Sequence, residues 1–370
     1  MRIAFIGQKG MFLTRGGGGI EKHVAELAPR LVERGHNVTV YARKKYCDPC
    51  PGVLDGVVLR YTPTVYRMNF EAIVHTATAT FDVLFRKVDV IHYHGVGPSL
   101  LSWIPKLLRP HVTIVSTFHA RDQFHQKWNF FGRLALRVGE WMTCHVPDAT
   151  IVVSHTLQIV ARDQYKSEAI LIPNGAEIVT HRKQTALRDF GLSKNEYILN
   201  VGRILPVKGL HHLIKAFRRT KTDKKLALVG DAPDDPGYLD ELKSLAKGDP
   251  RILFLGRMHG EPLNQLFTHA YLFVQPSESE GLPLVVLEAM SNGTAVLVSD
   301  IPGNLEAIHR AGFTFENMNV DDLTDQLNNL LKHPELVDHA RHDVKKIINK
   351  HFNWDTIADQ TLDVYRSVRH

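Results

Sequence analysis

The segment PSESEGLPLVVLEAM, residues 276–290, carries acidic side chains at both ends of an apolar run. Glu280 precedes the run, and Glu288 follows eight residues later. A buried carboxylate is costly without a partner, so these acids either face a ligand or avoid burial unpaired, with Glu280 facing solvent and Glu288 paired to a nearby arginine. The proline of this segment and Gly293 beyond it predict a short helix over 284–292. Its start would attract a diphosphate, and the acids would accept hydrogen bonds from sugar hydroxyls.

Two cationic side chains follow a predicted strand in the segment VGRILPVKGL. Arg203 and Lys208 lie in this loop, five residues apart. The planar fork of arginine and the point charge of lysine both suit phosphate oxygens. They would also stabilise the charge on a phosphate leaving group. A solvated basic loop is the alternative interpretation.

Four consecutive glycines, Gly16–Gly19, precede a predicted helix just beyond the first strand. Backbone N–H groups of such a loop can approach a phosphate closely. The spacing matches neither GxGxxG nor the Walker pattern, and a flexible linker is the alternative. His119 directly follows another predicted strand, where an imidazole can bind a substrate hydroxyl or shuttle a proton. With 21 histidines in the chain, a structural role for His119 is the alternative.

Short β-rich runs alternate with helical patterns along the whole chain. The predicted strands are 2–7, 37–43, 57–61, 88–94, 112–118, 149–154 and 169–173, then 197–202, 225–230, 252–256, 272–276, 295–300 and 312–315. This alternation predicts βαβ units with parallel sheets. The break near 175–195 predicts two doubly wound domains, whose ligands bind at the carboxyl ends of strands.

These motifs together resemble those of glycosyltransferase family four, retaining enzymes of the GT-B fold. Glu280 and Glu288 are similar to its E-x7-E motif, and Arg203 with Lys208 to its GRL…KG loop. Three further segments resemble landmarks of the family: the Gly16–Gly19 loop, RGHNVTVYAR at 34–43 and IPNGA at 172–176. The resemblance covers nearly the whole chain. It looks closest to bacterial, rhamnosyltransferase-like members that build surface polysaccharides.

The resemblance implies a role for each matching residue. Glu280 would bind hydroxyls of the donor sugar, and Glu288 the ribose of the nucleotide. Arg203 and Lys208 would hold the diphosphate. His119 would contact the transferred sugar near the reacting carbon. Further contacts to the nucleotide-sugar donor are implied for Gly17, Gly18, Arg257, Met258, Gly281 and Leu282.

The resemblance also implies an architecture and a reaction. Two Rossmann-like α/β domains would face each other across a cleft. Residues 1–175 would bind the acceptor, completed by a helix over 353–370 that crosses back, and residues 176–352 would bind the nucleotide-sugar. A hexosyl group would pass, with retention, from a nucleotide-diphosphate sugar to a saccharide or lipid-linked acceptor. The family needs no metal and no cofactor, so the Asp pairs at 234–235 and 321–322 are expected to be solvated.

Three other classes of protein are alternatives. A nucleotide-sugar epimerase on a similar fold would need phosphate-binding loops but no acceptor. A non-enzymatic sugar-binding protein would normally be exported, whereas the short apolar start MRIAFIG does not resemble a signal peptide. A nicotinamide dehydrogenase is disfavoured because GxGxxG is missing after the first strand. We expect a cytoplasmic enzyme, with Cys47, Cys50 and Cys144 as free thiols.

The net charge of +6 is unevenly distributed along the chain. Residues 1–180 contain 21 Lys and Arg against 14 Asp and Glu, hence +7, and residues 181–370 contain 24 against 25, hence −1. A basic first half favours an anionic partner. Because no helix or aromatic motif of nucleic-acid recognition is present, we expect no nucleic acid.

An apolar stripe at helical spacing runs through the segment 121–142, interleaved with basic residues. Its members are Phe124, Trp128, Phe131, Ala135, Val138 and Met142. Such a helix packs in the core or lies in a bilayer interface. The segments 103–106 and 67–70 are further candidates for the same face. An anionic membrane surface is therefore a candidate partner, which would place the enzyme peripherally at the inner face of the membrane.

Overall fold

The computed structural model describes residues 1–11, 17–47, 50–67, 70–121, 130–179, 181, 183–232 and 235–369. The chain divides into two compact units. Unit 1 comprises Met1–Asn174 together with Trp354–His370, and unit 2 comprises Gly175–Asn353.

Unit 1 is built on an eight-stranded sheet. Its strands are β1 (Arg2–Ile6), β2 (Asn37–Ala42), β3 (Val53–Leu54), β4 (Val57–Tyr61), β5 (Val90–His94), β6 (Thr113–Phe118), β7 (Ala149–Val152) and β8 (Ile170–Leu171). They lie in the order β3-β4-β2-β1-β5-β6-β7-β8. Among the strand pairings that the structure describes in this unit, only that of β3 with β4 is antiparallel. The sheet is therefore doubly wound, and its order reverses between β1 and β5.

Unit 2 is built on a six-stranded parallel sheet. Its strands are β9 (Tyr197–Val201), β10 (Lys225–Val229), β11 (Ile252–Gly256), β12 (Leu272–Gln275), β13 (Val296–Ser299) and β14 (Phe313–Phe315). They lie in the order β11-β10-β9-β12-β13-β14. The order reverses between β9 and β12, so the loops after these two strands flank the point where such sheets bind ligands.

Helices connect the strands of both sheets. In unit 1 and then unit 2 the chain forms α1 (Gly19–Glu33), α2 (Glu71–Leu84), α3 (Val96–Ser99), α4 (Trp103–Leu108), α5 (Phe130–His145), α6 (His155–Tyr165), α7 (Thr185–Asp189), α8 (Leu210–Arg218), α9 (Pro236–Ala246), α10 (Gly260–His269), α11 (Leu284–Ser291), α12 (Pro302–Ile308), α13 (Val320–Lys332) and α14 (Pro334–His351). A last helix, α15 (Trp354–Ser367), returns to unit 1. None of the helices in the described ranges combines the length and apolarity needed to cross a bilayer.

The return of α15 is secured by polar contacts within unit 1. Nε of Arg34, after α1, donates to Asp359 at 2.6 Å. The hydroxyl of Tyr365 lies 2.6 Å from Nδ1 of His92 on β5. Trp354 is buried, and its ring packs edge-on against His23 of α1. Helix α15 therefore completes the core of unit 1.

Buried aliphatic side chains form the core of each unit. In unit 2, Leu213 and Phe217 of α8 join Leu226 of β10 and Leu327 of α13 in one buried cluster. The strands β6, β12 and β13 are buried along their whole length. Near-continuous Val, Ile and Leu runs are typical of parallel strands covered on both faces.

The predicted strands are all present, with ends that differ by a residue or two. The sequence did not predict β3, because a two-residue strand is too short to show a pattern. All three cysteines are free thiols, as expected.

Candidate functional site

A pair of opposite charges joins the two loops that flank the switch point of unit 2. The Lys208 ammonium group, after β9, donates to Oε1 of Glu280, after β12, at 2.5 Å. Ser277 and Gln275 donate to the same oxygen at 2.7 and 3.0 Å. The alternative of a solvent-facing Glu280 is therefore wrong, because this carboxylate is largely buried and pairs with Lys208. Since these bonds all reach Oε1, Oε2 remains for a ligand hydroxyl.

The environment keeps Glu280 ionised. Burial raises the pKa of its carboxyl group, but the charge and hydrogen bond of Lys208 oppose burial and prevail. The hydrogen bonds from Ser277 and Gln275 act in the same direction, and the net effect is a pKa below the ordinary value. The site thus holds an ionised carboxylate, of which only 12% of the side chain is exposed.

Two glycines allow the loops of unit 2 to approach closely. Gly209 has φ +66°, and a Cβ there would lie 2.0 Å from the carbonyl oxygen of Pro276. A Cβ on Gly303 of α12 would lie 2.4 Å from the carbonyl oxygen of Gly281 and 2.7 Å from that of Glu280. Larger residues would displace the loop that carries Glu280.

Arg203 and Glu288 lie on the same two connections as the ion pair. Arg203 is exposed in the loop between β9 and the 3-10 turn Pro206–Lys208. Glu288 is half-buried in α11, and its backbone carbonyl oxygen accepts hydrogen bonds from the side chains of Ser291 and the capping Asn292. Helix α11 covers 284–291, so the helix expected there is present.

The remaining predicted donor residues of unit 2 lie at two places. Gly281 and Leu282 lie between the ion pair and the start of α11, and Leu282 is buried. Arg257 is exposed and Met258 half-buried, directly after β11. Because β11 is two strands from β9, these residues lie further along the carboxyl edge of the sheet.

The glycine loop of unit 1 differs from the expectation at one position. The Gly18 N–H is donated to Oε2 of Glu21 at 2.8 Å, and Oε1 of Glu21 accepts the Lys9 N–H at 3.1 Å. Glu21 therefore satisfies a donor at the start of α1 that we expected to face a phosphate. Gly17 precedes it, and Gly16 lies outside the described residues.

His119 belongs to a buried cluster of imidazoles in unit 1. Its Nε2 lies 3.3 Å from Nδ1 of His94, and its ring packs edge-on against His23. His94 in turn lies 4.2 Å from His92, between ring centroids. Nδ1 of His23 is 2.9 Å from Oδ1 of Asn174. Four histidines and an asparagine thus converge at the carboxyl end of β5 and just after β6.

Burial lowers the pKa of every histidine in this cluster. The pKa of His23 falls to about 4, because its hydrogen bond to Asn174 only partly offsets burial. Those of His92, His94 and His119 lie well below 6.5 because of burial and mutual repulsion. His119 is therefore a neutral imidazole, able both to donate and to accept a hydrogen bond.

Sequence reasoning missed three members of this cluster. His92 and His94 alternate on β5, so the pattern HYH already placed them on one face of a strand. His23 is on α1, and no local pattern links it to β5. In unit 2 the sequence likewise missed Ser277, which lies within the quoted acidic segment.

The aspartate pairs have ordinary structural roles in the described residues. Asp235 caps α9 by accepting the Tyr238 N–H at 3.1 Å. Asp321 is exposed and pairs with Arg219, and Asp322 accepts the Glu316 N–H at 2.6 Å. Asp234 lies outside the described residues.

Two family models match the chain in succession. The model described as Glycosyltransferase Family 4 matches residues 17–179, and that described as Glycosyl transferases group 1 matches residues 183–349. An uncharacterized glycosyltransferase of Methanocaldococcus jannaschii is 31% identical, over 94% of this chain and 94% of its own length. The chain therefore belongs to glycosyltransferase family 4, which confirms the resemblance seen in the sequence.

A second relative matches over a shorter length. An alpha-maltose-1-phosphate synthase of Mycobacterium tuberculosis is 32% identical over 50% of this chain and 52% of its own length. The aligned part thus spans about half of that curated relative.

Solved structures of similar fold cover nearly the whole chain. Sucrose-phosphate synthase from Thermosynechococcus elongatus has a TM-score of 0.85 at 20% identity, over 99% of this chain and 98% of its own. Anabaena HepE in complex with UDP-glucose has a TM-score of 0.82 at 20% identity, over 99% and 100%. WaaG, a glycosyltransferase involved in lipopolysaccharide biosynthesis, has 0.76 at 16% identity, over 98% and 99%. These likenesses confirm the GT-B fold.

Proposed function

We propose that this protein is a retaining glycosyltransferase that moves a hexosyl group from a nucleoside-diphosphate sugar to a saccharide or lipid-linked acceptor. The observation that carries the proposal is the pairing of Lys208 with Glu280 beside the switch point of unit 2. A cation suits the diphosphate, and an ionised carboxylate beside it suits sugar hydroxyls. The complex of Anabaena HepE with UDP-glucose supports a nucleotide-sugar as the donor class.

In this proposal unit 2 binds the donor. Lys208 and Arg203 hold the diphosphate and stabilise its charge as it leaves, which is the main electrostatic contribution to the reaction. Oε2 of Glu280 accepts a sugar hydroxyl, and Glu288 accepts the ribose hydroxyls. The backbone at 257–258 contacts the base, and 281–282 leads the chain over the phosphates to α11. Gly17 of unit 1 offers its N–H as a further donor contact.

The neutral His119 of unit 1 is the group that we assign to a hydroxyl of the transferred sugar. Because its pKa lies well below 6.5, it binds as an uncharged hydrogen-bonding group, not as a cation. No protein nucleophile is required when the acceptor hydroxyl attacks the face of the sugar from which the diphosphate departs. The protein then acts by positioning and by charge stabilisation.

No metal ion or cofactor takes part in the proposed reaction. The diphosphate meets two side-chain cations, Arg203 and Lys208, and the positive start of α11. These groups, with Lys208 shared between Glu280 and the diphosphate, supply positive charge without a divalent ion.

The acceptor side is proposed to work at an anionic membrane surface. On α5, Leu134, Val138 and Trp141 are exposed and share one helical face, whereas Leu136 faces the core. The exposed face of α5 therefore includes Val138 of the predicted stripe. Two other members of the stripe, Phe124 and Trp128, lie outside the described residues. WaaG, which shares the fold, is involved in lipopolysaccharide biosynthesis, and this supports a role in bacterial surface polysaccharide or glycolipid synthesis.

A panel of nucleotide-sugars tests the function. The true donor should raise the melting temperature, since a ligand at 100 times its Kd contributes about 2.7 kcal/mol. Incubation with saccharide and lipid-linked acceptors should then give a glycoside whose anomeric configuration, measured by NMR, equals that of the donor. Inversion would contradict retention, and an altered sugar from donor alone would indicate an epimerase.

A further inference from the structure

Three side chains of unit 2 converge next to the Lys208–Glu280 pair. His211 and His212 lie in the first turn of α8, and Glu278 lies in the loop after β12. Nε2 of His212 is 3.4 Å and Nε2 of His211 is 3.9 Å from Oε1 of Glu278. The imidazole and carboxylate ligand atoms of this group all lie within 4.8 Å of one another.

The ring of His212 makes no hydrogen bond to any residue that the structure describes. Both of its ring nitrogens are buried and lack a hydrogen bond within the described part of the chain. A neutral imidazole has one donor and one acceptor, and buried polar groups normally satisfy both. The 3.4 Å approach to Glu278 brings the two groups together without forming a hydrogen bond. His212 therefore has binding capacity that the protein leaves unused.

His211 is oriented by a neighbouring hydroxyl. Its Nδ1 lies 2.7 Å from the Tyr238 hydroxyl, which also accepts the backbone N–H of His211 at 3.4 Å. This contact fixes the ring and leaves Nε2 on the side of Glu278. Histidines that bind metals usually have such a partner on the second nitrogen, which sets the tautomer and the ring orientation.

We propose that His211, His212 and Glu278 bind a transition-metal ion such as Zn²⁺. Ligands about 2.0–2.2 Å from a tetrahedral ion lie roughly 3.3–3.6 Å apart. The His212–Glu278 separation of 3.4 Å fits this range, and that of 3.9 Å between His211 and Glu278 needs only a small shift. Two imidazoles and a carboxylate favour Zn²⁺ over Mg²⁺ or Ca²⁺, and a water would take the fourth position. The Glu278 side chain is 29% exposed, which gives the ion a path of entry.

The ion would join two segments that already touch. The Glu278 N–H donates to the carbonyl oxygen of Val207 at 2.9 Å, and the Lys208–Glu280 pair lies on the same two loops. Metal binding would add a third connection and stiffen the loop that carries Glu280. This site goes beyond the proposed transfer reaction and does not depend on it, because its test needs neither donor nor acceptor.

Titration of the metal-free full-length protein with Co²⁺, followed by visible absorption, tests the site. We expect one Co²⁺ per chain with the spectrum of a four- or five-coordinate ion, displaced by Zn²⁺. The variants Glu278→Gln and His212→Gln should each weaken binding at least tenfold. Tyr238→Phe should weaken it less, because it removes only the group that orients His211.

His339 provides a matched control in the same unit. Its Nε2 lies 3.4 Å from Asp343, the same distance as in the proposed site, but the pair is on the surface of α14. His339→Gln should leave Co²⁺ affinity and stoichiometry unchanged. Circular dichroism of each variant shows whether it is folded. Affinity unaffected by both Glu278→Gln and His212→Gln, or reduced equally by His339→Gln, would overturn the proposal.

Discussion

The ammonium nitrogen of Lys208 lies 2.5 Å from Oε1 of Glu280, although 72 residues separate them in the chain. The contact places a proposed phosphate-binding cation and a proposed sugar-binding carboxylate in one ion pair. Binding of a diphosphate would therefore have to share Lys208 between two anions. The pair is a structural connection of unit 2 as well as a candidate part of its site.

Removal of Lys208 should reduce both stability and transfer. Lys208→Met leaves a buried carboxylate with two neutral donors, which should cost about 1–3 kcal/mol of unfolding free energy. Glu280→Gln in the same chain should recover most of this loss, because no charge is then buried. Urea unfolding, followed by circular dichroism, measures the free energy of unfolding of wild type, Lys208→Met and the double variant. Equal stability of wild type and Lys208→Met would show that the pair contributes nothing.

The pair also gives stability a defined pH dependence. Burial raises the pKa of Glu280, but the charge and hydrogen bonds around it hold the pKa below the ordinary 4.5. Its contribution is therefore complete above pH 4.5 and is lost as the pH falls through the lower folded pKa. In Lys208→Met the pKa should rise, so acidification towards pH 4.5 should stabilise that variant relative to wild type. Unfolding curves of both proteins across this pH range show whether acidification stabilises the variant relative to wild type.

Arg203→Ala and Glu288→Gln should each severely reduce transfer while leaving the fold intact. Each variant removes a hydrogen bond to the diphosphate or the ribose of the donor. Such a bond is worth about 1.5–3 kcal/mol, so kcat/KM should fall about tenfold to a hundredfold or more. Initial rates with the identified donor measure the effect. Arg257→Ala, further along the sheet edge, should reduce transfer less, because the proposed contact of Arg257 uses its backbone. Wild-type turnover by either main variant would exclude these residues from the site.

The histidine cluster should make unit 1 sensitive to acid. The folded pKa values lie below the unfolded value of 6.5, that of His23 at about 4. The stabilising contribution is thus complete above pH 6.5 and is lost as the pH falls towards 4, by up to about 1.4 kcal/mol per pH unit for each histidine. All four tryptophans belong to unit 1, so tryptophan fluorescence during thermal unfolding reports on this unit.

Replacing one histidine should make that pH profile shallower. His94→Gln removes a group whose Nε2 is buried without a hydrogen bond in the described structure. Its melting temperature should fall less steeply between pH 6.5 and pH 5 than that of wild type. His339→Gln on the surface of unit 2 should leave the profile unchanged. Identical profiles for wild type and His94→Gln would contradict a buried neutral cluster.

Transfer should persist in EDTA. Arg203, Lys208 and the start of α11 supply positive charge to the diphosphate, so a divalent ion is not needed for charge balance. Initial rates with and without EDTA should agree within about twofold, in wild type and in Glu278→Gln alike. Complete loss in EDTA, restored by Mg²⁺ or Mn²⁺, would contradict this mechanism.

Liposome sedimentation tests the membrane surface. The protein should pellet with anionic vesicles at low salt, remain in solution with neutral vesicles, and dissociate at high salt. Replacing Val138 and Trp141 with serine should weaken binding about tenfold or more, because both are exposed apolar side chains on α5. Leu336→Ser, an exposed leucine of unit 2, is the control. Equal, negligible pelleting with both kinds of vesicle would contradict the membrane surface and favour a soluble saccharide acceptor.

The sequence predicted those features that depend on local pattern. Near-continuous aliphatic runs identified the parallel strands, and the family motifs brought Arg203, Lys208 and Glu280 to one sheet edge. The hydrogen bond from the Gly18 N–H to Glu21 could also have been predicted, because Glu21 follows three residues later, at the spacing of a capping box. Local pattern could not predict which residues far apart in the sequence contact each other. His23 of α1 meets His94 of β5 from a distant part of the sequence, and burial, with a smaller effect of His23, lowers the pKa of His119.

The path of the chain also sets the order in which the protein can be made. Unit 2 is a continuous stretch, Gly175–Asn353, whereas unit 1 needs Trp354 and Tyr365 from α15 to close around His23 and His92. A ribosome therefore delivers every residue of unit 2 before unit 1 can finish its core. Until α15 emerges, His23 and His92 of unit 1 lack the contacts that Trp354 and Tyr365 supply. Nascent unit 2 should acquire protease resistance first.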